Sequence, residues 1–175
     1  MTSAASSSPA VDLIDAIVPL AAGQPTWDVR QQRPKVIAAT QGSLEAMFSP
    51  TVEGLSVIER LLVAWHACRV AKADSLAGHY RERLVAEGAE PQVLDAVERG
   101  ALSSLADPRL GTMLGFAGRL MQRPIEGDRA ALQSLAACGL TTPAIVALGQ
   151  LTAFLSYQVR LAAGLQAMAA AEVAP

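Results

Sequence analysis

Histidine and cysteine are scarce in this chain, two of each among 175 residues, and their placement excludes several chemistries. His66 and His79 fall on separate segments and do not assemble a zinc site, so no metal is expected. Cys68 and Cys138 lie far apart and form no Cys-x-x-Cys pair, whereas disulfide frameworks use several cysteines in small secreted chains. Reduced thiols and a cytoplasmic setting are the expectation. Aromatic residues are only 4% of the chain, and Val, Ile and Thr never alternate strictly with polar residues, which argues against a sheet. No run of basic residues exists, and 14 Lys and Arg against 16 Asp and Glu leave a net charge of -2, which argues against nucleic acid as a partner. Gly-x-Gly-x-x-Gly, the phosphate-binding P-loop and Gly-x-Ser-x-Gly are all missing, so no cofactor is expected. The apolar stretch from Val11 to Ala22 contains Asp12 and Asp15 and follows no positive segment, so it does not read as a signal peptide. The longest greasy run, Ala144 to Leu155, is short of the ~20 residues that span a bilayer, and no membrane association is expected.

Apolar residues, by contrast, make up 51% of the chain against 17% charged. Alanine, the best helix former, is abundant, which points to an all-α fold. A domain of this length buries about two-thirds of its unfolded surface, and so much apolar side chain favours a homo-oligomer over a lone chain. Residues 1–9 read as a polar, disordered lead, and residues 10–170 as one helical domain.

Local signals place the helices. A short one is expected from Val11 to about Leu20, ended by Gly23 and Pro25. A second starts at Pro34 and runs to about Phe48. Ser56 and Glu59 form a capping box that opens a third, with Ile58, Leu61, Leu62, Trp65 and Cys68 on one apolar stripe reaching about Ala73. A fourth passes through Leu76, Tyr80, Leu84 and Val85 and ends at Gly88. Pro91 opens the next, to about Arg99. Asp107-Pro108 starts a helix closed by Pro124, Asp128 caps one to Cys138, and Thr142-Pro143 opens the longest, to about Ala170.

The segment from Leu55 to Tyr80, LSVIERLLVAWHACRVAKADSLAGHY, resembles the core segment of the carboxymuconolactone decarboxylase and alkyl hydroperoxidase D-like superfamily. The stretches DPRLGTMLGFAGRLM and TTPAIVALGQLTAFLSYQVRLAAGL resemble flanking helices of its peroxidase-related members, so the likeness covers roughly residues 10–168. It implies an alkyl hydroperoxidase D-like helical bundle that assembles as dimers, trimers or hexamers, with peroxiredoxin-type antioxidant peroxidase or decarboxylase activity. Redox-active members carry a Glu, a Cys-x-x-Cys pair and a His, in which Glu and His move protons for a low-pKa thiolate. Aligned on LSVIER, those places are Leu61, Ala73, Leu76 and Tyr80. All four are replaced here, and without a resolving thiol a sulfenic acid has no neighbour to condense with. His79 matches a His often found just before the last one, and Glu59 a carboxylate two residues ahead of the catalytic one.

His79, Glu59 and Cys68 are therefore the catalytic candidates. Cys68, in an apolar stripe, reads either as an inert core residue or as the centre of a one-cysteine peroxidase or thiol sensor, which needs a pKa depressed by Arg69 or His66. Glu59 and His66 share a helix face and read either as a cap and a satisfied core histidine or as one wall of a polar pocket. In the second reading His66, Tyr80, Tyr157 and Arg160 bind substrate beside His79, with Gln158 adjoining and Glu59 as the carboxylate partner of Arg160.

Three functions follow as expectations. The first is a degenerate member of the superfamily without dithiol peroxidase activity, binding a small molecule in a helical pocket. The second is a non-thiol decarboxylase or isomerase-like enzyme using His79 or His66 with Arg160. The third is a non-catalytic, oligomeric interaction protein.

Overall fold

A computed structural model describes residues 12–172, and every regular element among them is helical. The chain runs through α1 (Leu13–Ile17), α2 (Pro25–Gln31), α3 (Pro34–Met47), α4 (Val57–Val70), α5 (Asp74–Ala86), α6 (Pro91–Glu98), α7 (Pro108–Gln122), α8 (Arg129–Ala137) and α9 (Thr142–Glu172). Single 3₁₀ turns at Leu102–Ser104 and Pro124–Glu126 flank α7. The all-α expectation holds. The expected lead over residues 1–9 lies outside the described residues, as does Val11.

The start signals act as their chemistry dictates. Ser56 Oγ accepts from the Glu59 N–H at 3.1 Å and Glu59 Oε2 accepts from the Ser56 N–H at 2.7 Å, the reciprocal pair of a capping box. Asp107 and Asp128 cap α7 and α8 through side-chain oxygens that accept backbone N–H groups at 2.8 and 2.9 Å. Three boundaries differ from the sequence expectation, the first being that α1 ends at Ile17 rather than about Leu20, because Val18 turns extended after its N–H closes on the Ile14 carbonyl at 2.9 Å. Pro25 does not merely end a helix but occupies the first turn of another, α2, where its missing N–H costs nothing. And α4 stops at Val70 rather than Ala73, because Lys72 adopts a left-handed φ of 58° and the Ala73 N–H turns back to the Cys68 carbonyl at 2.9 Å.

Helix α4 is the axis of the core. It is buried continuously from Arg60 to Trp65 and again at Ala67 and Cys68, and it packs against α5, α7 and α9. Small residues, Ala64 and Ala67, let those neighbours approach closely, while Leu61, Leu62, Trp65 and Cys68 fill the space between. Each such large side chain contributes roughly 1.5–3 kcal/mol on burial. The first helices are tied on by charge: buried Arg30 on α2 pairs with Asp12 and Asp15. The far end of α9 is tied to α2 as well, where Glu172 accepts the Thr26 N–H at 2.6 Å and caps a helix that has no cap of its own.

Helix α9 is 31 residues long with a mean hydropathy of 1.2 over its most apolar window, enough by length and composition to cross a membrane. The run from Ala144 to Leu155 is therefore only part of a longer apolar helix. A third of that window is buried against the other helices.

Candidate functional site

The sequence-predicted site residues do not share one pocket. Glu59 is held in the α4 cap and ion-pairs with Arg109, whose other Nη donates to the Gly54 carbonyl at 2.8 Å. The expected Glu59–Arg160 pair is thus replaced by Glu59–Arg109, because α7 rather than α9 passes the start of α4. Arg160 is exposed and, among the described residues, bonds only its own helix, through the Ser156 hydroxyl and carbonyl. It is not the buried guanidinium the sequence implied. Tyr157 is 43% exposed and its hydroxyl meets Thr40 Oγ1 at 3.1 Å, fastening α9 to α3.

His66 faces α7. A Cβ on Gly118 would lie 2.9 Å from His66 Nε2, so the glycine is what lets the imidazole fit, and Nδ1 is enclosed without a hydrogen-bond partner among the described residues. Burial, aided by Arg69, pushes its pKa down to about 4 and keeps the ring neutral. Cys68 is fully buried, and burial pushes its thiol up to about 12, far from the thiolate that peroxide chemistry requires. Tyr80 is equally buried. Its hydroxyl donates to Gln158 Oε1 at 2.6 Å, and burial raises the phenol well above its ordinary value. Tyr80 and Gln158 are therefore brought together as expected, but inside the core rather than on a pocket wall.

Two of the catalytic candidates reach a cleft: Glu59 lines one with Leu62, Val93 and Leu110, its carboxylate committed to the cap and to Arg109, and His79 lines another. His79 lies on α5, edge-on to Tyr80 with ring centroids 5.3 Å apart, and its Nε2 is enclosed without a hydrogen-bond partner among the described residues. Burial and the neighbouring Arg83 lower its pKa, with Glu82 opposing, so the imidazole is neutral at pH 7. The cleft holds about 640 Å³ between α1, α3 and α5. Leu13, Leu44 and Phe48 give it apolar walls, while Gln41, Glu45, His79 and Arg83 supply polar groups. This balance, mostly apolar with a few convergent polar atoms, is that of a small-molecule site.

Residues that sequence reasoning passed over shape this cleft. Arg83 stands one turn beyond His79, and its guanidinium lies 4.7 Å from the Phe48 ring centre. Its i, i+4 spacing from His79 was the available signal. Arg60, 1% exposed on α4, donates to the carbonyls of Met47, Ser49 and Ser56, the second at 2.8 Å. It thereby fixes the turn after α3 that carries Phe48, Ser49 and Pro50 into the cleft wall.

A second, smaller cavity of about 250 Å³ opens at the start of α5, where Ala73 and Leu76 meet Ile17, Val159 and Ala162. These are the two places where the family resemblance sets redox cysteines, and both side chains are hydrocarbon. Among the described residues, no group of three or more His, Cys, Asp or Glu side chains could hold a metal ion. In comparisons with known proteins the chain matches no family model, no curated protein and no solved structure.

Proposed function

We propose that this chain is a degenerate alkyl hydroperoxidase D-like, carboxymuconolactone decarboxylase-like protein that lacks dithiol peroxidase activity and binds a small molecule in the cleft beside His79. The cleft is the observation that carries the reading: an opening of about 640 Å³ with apolar walls, one imidazole and one guanidinium. The loss of thiol chemistry rests on Ala73 and Leu76 at the family's cysteine positions and on the sealed, protonated Cys68. A cytoplasmic homo-oligomer completes the proposal. It is supported by the exposed Val146, Tyr157 and Met168 along α9, which a second copy would cover.

The test is hydroperoxide consumption by the purified protein with a dithiol reductant, wild type beside Cys68→Ala. No turnover in either is expected. Turnover that disappears with Cys68 would make the protein a one-cysteine peroxidase and refute the proposal.

A second reading, a non-thiol enzyme with His79 as general acid or base, is favoured by the position of that neutral imidazole in the cleft wall. Arg160 drops out of it, being exposed and bonded to Ser156.

A further inference from the structure

The arginines of this fold divide by what their donors meet. Among those that are not exposed, Arg30 pairs with Asp12 and Asp15, Arg60 with three backbone carbonyls, Arg69 with the carbonyls of Val97 and Glu98, and Arg109 with Glu59. Arg83 is the exception. It is half-buried, stacked on Phe48, and among the described residues no carboxylate or carbonyl accepts from it. A guanidinium lying over an aromatic face keeps its edge N–H groups free to grip a planar anion with two parallel hydrogen bonds. Those N–H groups belong to a residue that lines the cleft, with the Leu13, Leu44 and Phe48 walls beside it.

We infer that the cleft between α1, α3 and α5 binds a small organic monocarboxylate with an apolar body, its carboxylate held by the Arg83 guanidinium and its body against Leu13, Leu44 and Phe48. This rests on the small-molecule reading of the cleft proposed above and names the ligand class. His79, on the same helix face one turn earlier, adds a neutral hydrogen-bonding group beside the anion. Glu45 on the opposite wall opposes an anion, but it is exposed and takes the Gln41 amide at 3.2 Å, so its charge is screened by solvent.

The experiment is a titration of the full chain at low ionic strength with benzoate and hexanoate, and with their neutral counterparts benzyl alcohol and 1-hexanol, followed by calorimetry and ligand-observed magnetic resonance. The acids are expected to bind at least about tenfold more tightly than the alcohols, the difference of one charge-assisted hydrogen-bonded contact. Arg83→Met, checked for native helicity, should abolish that preference; Arg83→Lys should keep part of it; Glu45→Gln should strengthen acid binding. Ala16→Phe, a filling substitution at an exposed position on the cleft rim, should weaken acids and alcohols alike. Acids and alcohols binding equally, or acid binding indifferent to Arg83→Met, would overturn the inference and leave the small-molecule cleft standing. No binding of either kind by the folded protein would overturn both.

Discussion

Tyr80 and Gln158 offer the sharpest test of whether a polar pair in this protein serves structure or ligand. Tyr80 is 0% exposed and Gln158 1%, and the phenol donates to the amide oxygen at 2.6 Å. Tyr80→Phe keeps the ring and strips the donor, leaving a desolvated amide oxygen unpaired, and Gln158→Met strands the hydroxyl in the same way. Leaving a buried polar group unsatisfied costs about 1–3 kcal/mol, so each single substitution should lower stability by about 2 kcal/mol and Tm by about 4–8 °C in a chain of this size. The double variant removes both partners together and should cost only about 1 kcal/mol, a coupling of about 3 kcal/mol. Urea unfolding at fixed protein concentration measures all four corners of the cycle, with an unchanged dependence on urea confirming that the same surface is exposed. Costs that simply add within about 0.5 kcal/mol would refute the bond as a stabilising pair.

Two predictions concern the contact between α4 and α7. Gly118→Ala sets a methyl 2.9 Å from His66 Nε2, and the overpacking, about 1–3 kcal/mol, should outweigh the roughly 1 kcal/mol of helix propensity gained. In a His66→Ala background the same change should stabilise the fold, and thermal melts of the pair check the reversal of sign. The second prediction concerns acid. The folded state holds His66 at about 4 while the unfolded chain titrates near 6.5, so the unfolded state takes up the proton first as pH falls. Stability is complete above pH 6.5 and declines toward pH 4 by up to about 1.4 kcal/mol per unit from this residue. Urea midpoints of His66→Gln between pH 6.5 and 5, where most carboxylates stay ionised, should be flatter than those of the wild type; parallel curves would contradict the buried, neutral ring.

What could be read from the sequence was local. The starts at Ser56, Asp107, Asp128 and Thr142 are set by groups within one helical turn, and the structure begins α4, α7, α8 and α9 there. What escaped was set from a distance. The α2 start receives its cap from Glu172, which lies 146 residues away in the chain, so nothing near Pro25 announces it. Glu59 takes Arg109 rather than Arg160 because helix packing, not composition, decides which cation passes the α4 cap. The cleft was half legible: His79 and Arg83 share a helix face by spacing alone, but the Phe48 ring that orients the guanidinium comes from the turn Arg60 holds. Helix α9 shows the limit most clearly. Its outer face carries Val146, Ala153, Tyr157 and Met168 beside Gln150 and Arg160, so the contrast with the inner face of Leu148, Leu151, Leu155 and Ala162 is weak for periodicity to register. The single chain leaves Val146, Tyr157 and Met168 of that face exposed, and which helices pack against α9 is decided by tertiary contacts with α4 and α7 that its own residues do not announce.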